Sequence, residues 1–102
     1  MSLSAREKKQ FRQIAHHLDA VVIIGDQGVS EDVIAETQRA LTDHELIKVK
    51  LNVGERADRQ VAAEQLAAVC EADLVHSIGK VVVLYRHNPK ASPKLSNIFR
   101  YA

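Results

Sequence analysis

The sequence predicts a single compact α/β domain in which three helices surround a four-stranded mixed sheet, in the order α-β-α-β-α-β-β. Three observations predict it. Apolar residues recur at helical spacing in three stretches of the 102-residue chain. β-branched or alternating segments follow each stretch, and a two-residue connection led by glycine joins the last two. One domain fits this length and two do not. With 46% hydrophobic and 26% charged residues, the composition is that of a self-folding globular chain.

Ser4 followed by Glu7 matches a capping box and opens a first helix over about residues 4–17, with Phe11, Ile14, Ala15 and Leu18 as its apolar stripe. Lys8, Lys9, Arg12 and His16 share one sector beside that stripe. Residues 21–24 are β-branched throughout, which predicts a short strand buried on both faces and central in the sheet. Gly25-Asp26-Gln27-Gly28 then leads to Ser30, an N-cap for a second helix that buries Val33, Ile34, Thr37 and Leu41 and ends near 42–44. Ile47, Val49, Leu51 and Val53 alternate with Lys48, Lys50 and Asn52, so the second strand has one wet, basic face.

Residues 56–72 are rich in alanine and predict a third helix, with Val61, Ala62, Leu66, Val69 and Cys70 on its apolar stripe. Strands over 74–78 and 81–86 flank Gly79-Lys80, and glycine in the first position marks a type II′ hairpin turn. The two crossover helices imply right-handed connections and a mixed sheet. Residues 87–102 contain Pro89 and Pro93 and read as an extended basic tail, with Leu95, Ile98, Phe99 and Tyr101 as the residues through which it could dock. The domain division is accordingly 1–86 and 87–102.

A single cysteine, Cys70, makes an internal disulfide impossible and suits a reducing compartment, and no Cys or His set has metal-ligand spacing. The longest apolar runs are far below the roughly 18 residues of a membrane span, and the chain opens on a charged helix, so a soluble cytoplasmic monomer without metal or cofactor is expected. The net charge of +1 conceals segregation. Residues 21–45 hold one base, Arg39, among six acids, whereas residues 80–102 hold Lys80, Arg86, Lys90, Lys94 and Arg100 and no acid. Such asymmetry permits a basic face for a polyanion; it is equally what a solvated terminus would show.

Gly25-x-x-Gly28 lies between the carboxyl end of a strand and the start of a helix, where open α/β sheets hold ligands. Glycines admit a phosphate close to the backbone, and first-turn amides point outward beside it. The plainer reading is a tight strand-to-helix turn, and Asp26, Glu31 and Asp32 oppose an anion there. The loop is neither a Walker A loop nor a dinucleotide fingerprint. His76, Ser77 and Asp73 could be drawn into a triad, but no Gly-x-Ser-x-Gly elbow is present and no catalytic residue is assigned. Cys70 reads as a small core residue. Few aromatics are available as stacking platforms, so a nucleic-acid target would be held by phosphate and shape contacts.

Four stretches together carry a family resemblance: Ala15-His16-His17-Leu18; Val22-Ile23-Ile24-Gly25 with Gly28; His44-Glu45-Leu46-Ile47-Lys48-Val49-Lys50; and Ile78-Gly79-Lys80 with Val83-Leu84-Tyr85-Arg86. In order and spacing over residues 4–86 they resemble the CRM domain (chloroplast RNA splicing and ribosome maturation) in its stand-alone bacterial YhbY-type form. The resemblance implies an RNA-binding α/β fold related to the C-terminal domain of a bacterial translation initiation factor. It also implies association with precursors of the large ribosomal subunit, with ribosomal proteins as further candidate partners. It assigns RNA contact to Gly25, Asp26, Gln27 and Gly28. Charge placement adds Lys8, Lys9, Arg12, Lys48, Lys50, Lys80 and Arg86. The expected function is a non-enzymatic clamp on structured ribosomal RNA that assists assembly. The alternative is a protein-interaction module that docks through the acidic second-helix segment and apolar tail and meets RNA indirectly.

Overall fold

Ser4 caps the first helix as its spacing predicts. In the computed structural model, which describes residues 3–101, the Ser4 hydroxyl accepts the Glu7 amide and a Glu7 carboxylate oxygen accepts the Ser4 amide, both at 3.1 Å. That helix is α1 (Ala5–Ala15). It is followed by β1 (Ala20–Ile24), α2 (Glu31–His44), β2 (Leu46–Leu51), α3 (Arg56–Val69), β3 (Asp73–Ile78), β4 (Val81–Tyr85) and a short α4 (Asn97–Tyr101). The strands form one mixed sheet in the order β1-β2-β4-β3, with β1 parallel to β2 and β4 antiparallel to both its neighbours.

The crossover helices α2 and α3 pack on the same face. Leu41 from α2 and Ala63, Leu66, Ala67 and Cys70 from α3 and its end meet Val22, Ile24, Val49, Leu51, Val82 and Leu84 of the sheet. Each of the fully buried leucines 41, 66 and 84 contributes roughly 1.5–3 kcal/mol through the area it removes from water. On the opposite face Phe11 and Ala15 of α1 cover Leu46, Val75 and Val83, with Ile98 of α4 beside them. The Phe11 and Tyr85 rings meet with centroids 4.6 Å apart. Ser30 caps α2 by accepting the Val33 amide at 3.2 Å. Ile78 pairs with Val81, and of the two turn residues only Gly79 has positive φ, at 56°, as a type II′ turn requires.

Three expectations about the strands and the third helix need correction. β1 is an edge strand, not a central one, and Val21 and Ile23 are 50% and 57% exposed. A β-branched run records a preference for the pleated surface and not the number of covered faces; α1 lies over β2 and β3 and leaves the matching side of β1 open. The buried stripe of α3 is Ala62, Ala63, Leu66 and Ala67, whereas Val61 and Val69 lie outside. Alanines let that helix approach the sheet closely, so the small side chains take the inside position and the larger valines flank it. On β2 the wet face is only partial: Leu46 is buried under α1, Lys48 is half-buried and Lys50 is exposed.

The segment after β4 is not an extended tail. It folds back onto the domain around the carboxylate of Glu45, which is 2% exposed and holds φ at 61° where α2 ends. That carboxylate accepts the Ser96 hydroxyl at 2.8 Å and the Asn88 amide at 2.8 Å, and lies 3.2 Å from His87 Nδ1. Asn97 Nδ2 donates to Leu46 O at 2.7 Å, and His44 Nδ1 to Leu95 O at 2.8 Å. Docking therefore rests on polar anchors, on Ile98 and on Tyr101, whose ring stacks on His17 with centroids 5.6 Å apart, while Leu95 and Phe99 remain exposed.

Candidate nucleic-acid interface

β3 runs parallel to β1 and β2, because both β2 and β3 are antiparallel to β4. The carboxyl ends of the three strands and the β3–β4 turn therefore share one end of the sheet, the end at which open α/β sheets hold ligands. Two backbone bonds tie these connections together: Asn52 N–H donates to Ile24 O at 2.8 Å and Leu51 N–H to Lys80 O at 2.6 Å.

The first connection is the Gly25–Gly28 turn, closed by Gly28 N–H donating to Gly25 O at 2.9 Å. Asp26 and Gln27 occupy its exposed tip. The amides of Asp26, Gln27 and Val29 donate to no protein acceptor among the described residues, which leaves three backbone donors unpaired in the connection that leads into α2. Gly28 has φ 68°, a conformation only glycine adopts without strain; Gly25 does not, and a Cβ there would meet nothing within 4 Å. A shallow groove of about 350 Å³ separates this turn from α3, with Asp26, Gly28, Gly54, Asp58 and Val61 among its walls. Asp26 and Asp58 make it acidic.

Lys50 is the last exposed residue of β2 on the α1 face, and Lys80 stands exposed in the hairpin turn, so both share this end of the sheet. Lys8, Lys9 and Arg12 are exposed on α1, which covers the face carrying Lys48 and Lys50. Arg86 does not join them. It follows β4 at the opposite end of the sheet, where Nη1 donates to Gln38 Oε1 and to Cys70 O (2.9 Å), and Nη2 donates to Gln38 O (3.2 Å) and Thr42 Oγ1 (3.0 Å). This guanidinium joins α2 to the end of α3, a structural task in place of the expected phosphate contact.

Two cations absent from the sequence-derived set stand at the interface end: Arg56 and Arg59, in the first turns of α3, border a second groove beside Ser77 and Gly79. The signal for them was the basic balance of residues 46–60, to which both contribute. His76 and Ser77 are neighbours on β3 with opposite cross-strand faces, Ser77 toward α3 and His76 toward α1, so they do not converge as a hydrolytic pair. Cys70 is fully buried, and burial pushes its thiol pKa up, with Arg86 opposing, so it remains the neutral core residue expected. Among the described residues no helix is long and apolar enough to cross a membrane, and no three potential metal ligands gather.

Comparison with known proteins agrees with this architecture. A Pseudomonas aeruginosa protein named as a probable RNA-binding protein is 52% identical over 102 residues, covering 100% of this chain and 98% of its own length. A Haemophilus influenzae protein named as RNA-binding is 38% identical over 94 residues, covering 92% and 95% of the two chains. The solution structure of a hypothetical Staphylococcus aureus protein described as a candidate RNA binder aligns with a TM-score of 0.78 at 31% identity, over 89% of this chain and 95% of that one. The sequence pattern of the CRS1/YhbY (CRM) domain matches residues 3–86. With that match and those relatives, the chain belongs to the CRS1/YhbY (CRM) domain family.

Proposed function

We propose that this protein binds RNA, that its target is structured ribosomal RNA in precursors of the large subunit, and that it acts by binding without turnover. The observation that carries the RNA reading is the end of the sheet described above. There, the unpaired amides of Asp26, Gln27 and Val29 share one end of the sheet with the exposed Lys50 and Lys80, in a chain whose relatives are named as RNA-binding proteins. The ribosomal target rests on the family resemblance. In this reading the Gly25–Gly28 backbone approaches phosphates directly, and Lys8, Lys9, Arg12, Lys48, Lys50 and Lys80 supply counter-charge. Asp26 faces solvent at the turn tip and weakens the loop's own contribution. Residues 1–86 form the RNA-binding unit, with 87–102 as an appended segment, and the site of action is the cytoplasm.

The test is equilibrium binding to a large-subunit ribosomal RNA fragment and to a length-matched DNA duplex over a salt series. Tight, salt-sensitive binding that prefers the RNA is expected. Equal, weak binding to both would overturn the proposal. A docking role toward a ribosomal protein is the second reading, favoured by Val21 and Ile23, which are 50% and 57% exposed on the edge strand β1 that α1 leaves open. Capture of ribosomal proteins that survives nuclease treatment would support it.

A further inference from the structure

Charge divides the carboxyl end of the sheet into unlike halves. On the α2 side, Asp26, Glu31 and Asp32 surround the Gly25–Gly28 turn, and Asp58 closes the groove beside it. On the hairpin side a groove of about 430 Å³ runs between the first turns of α3 and the β3–β4 turn, lined by Arg56, Arg59, Gln60, Ser77 and Gly79. No carboxylate and no wholly hydrocarbon side chain lines it, and Lys80 is exposed at its rim, next to Gly79.

Arg59 is oriented from behind, its Nη1 donating to Gly54 O at 3.3 Å. Its Nε is buried and has no hydrogen-bond partner among the described residues, and neither Arg56 nor Arg59 pairs with a carboxylate there. A cationic N–H withdrawn from solvent beside an open groove favours an anionic acceptor over water, because the charge-assisted bond gains strength where the dielectric is low. Guanidinium groups suit tetrahedral phosphate oxygens, and the Ser77 hydroxyl adds a neutral donor of the kind that fixes a backbone phosphate in register, while Gln60 Nε2 is held by Glu64 Oε1 at 2.8 Å.

We infer that the groove between α3 and the β3–β4 turn is a phosphodiester-binding subsite in which Arg56 and Arg59 grip the RNA backbone. The strand of RNA then enters over the hairpin and α3, on the basic half, and meets the Gly25–Gly28 turn from that side. This rests on the RNA-binding reading and gives it a location that the glycine motif alone does not.

The test uses the full chain with Arg56→Gln and Arg59→Gln together, titrated with the ribosomal RNA fragment over a salt series and checked for an unchanged unfolding midpoint. At roughly 0.7 to 0.9 units of log–log salt slope per phosphate, loss of one or two contacts makes the slope shallower by about one to two units, with affinity at low salt falling about 10- to 100-fold. Arg56→Gln alone is the companion variant. Arg56 is exposed and makes no side-chain hydrogen bond among the described residues, so it must reduce the slope even if Arg59 also supports the fold. Wild-type protein that fails to bind the RNA at all overturns the RNA reading and this subsite with it. Wild-type binding with an unchanged slope in both variants overturns the subsite and leaves the RNA reading standing.

Discussion

Replacing Arg86 by alanine should cost stability and leave the salt dependence of RNA binding untouched. The guanidinium makes four hydrogen bonds, to Gln38 Oε1, Gln38 O, Cys70 O and Thr42 Oγ1. Net contributions of about 0.5–1.5 kcal/mol apply to each neutral bond, and more when one partner is charged. Arg86 is half-buried, which screens that charge, and some acceptors regain water when it is removed. A total loss of about 2–4 kcal/mol follows, and at about 4–8 °C per kcal/mol for a domain of this size the thermal midpoint drops by roughly 8–32 °C. Urea unfolding with linear extrapolation measures the loss. Binding to the RNA fragment, at a temperature where the variant remains folded, measures the salt slope. A loss below about 1 kcal/mol together with a slope shallower by about one unit would refute the assignment and restore Arg86 as a phosphate contact.

The two glycines of the turn should separate fold from function. Gly28→Ala forces a side chain into φ 68° and should cost about 1 kcal/mol in urea unfolding, whereas Gly25→Val meets open space and should leave stability within about 0.5 kcal/mol while weakening RNA binding severalfold. Equal RNA affinity for Gly25→Val and wild type would remove the turn from the interface. Lys50→Glu, exposed on the α1 face, should make the log–log salt slope shallower by about one unit without shifting the unfolding midpoint; an unchanged slope would confine the interface to the α3 side. Glu45→Ala removes the acceptor shared by Ser96 and Asn88 and should cost about 2–4 kcal/mol, with faster amide exchange over residues 88–98 as the readout that the segment has undocked. Desolvation raises the pKa of the Cys70 thiol, and desolvation reinforced by Glu45, Glu7 and Asp73 raises that of the Tyr85 phenol. Both acids then keep their protons to higher pH in the fold than in the unfolded chain. Stability is thus intact below the ordinary thiol range and falls as pH climbs through and above it; urea midpoints that stay flat from pH 7 to 10 would contradict this.

What the sequence made legible was whatever local chemistry dictates. The capping box at Ser4, the cap at Ser30, the glycine-led hairpin turn and the alternation of β2 each depend on a few adjacent residues, and each forms. The family resemblance over 4–86 found the same domain that the wider comparison matches at 3–86. What was not legible depends on distant partners. Val21 and Ile23 look like core until the position of α1 is known. The docking of residues 88–98 depends on a buried glutamate some fifty positions earlier, and a polar anchor of that kind leaves no apolar pattern to read. Arg86 looked like Lys80 on the chain, yet one ties α2 to the end of α3 and the other faces solvent. Formal charge says nothing about which cations are already engaged.

That difference between cations extends over the whole sheet. At the amino end of β2, polar groups find partners within the chain: Glu45 with Ser96 and Asn88, Arg86 with Gln38, Thr42 and Cys70, Asn97 with Leu46. At the carboxyl end the amides of Asp26, Gln27 and Val29, the buried Nε of Arg59 and the side chains of Lys50 and Lys80 have no such partners among the described residues. Folded proteins satisfy nearly all their buried polar groups, so unengaged donors gathered at one end are more informative than the same number scattered. On the hairpin and α3 side the cations Arg59, Lys50 and Lys80 fit an anionic, acceptor-rich partner, whereas the unpartnered carboxylates of Asp26, Glu31 and Asp32 stand on the α2 side. The acidic start of α2 then limits the surface on one side, so an RNA backbone is steered toward the hairpin and α3 by repulsion as well as attraction.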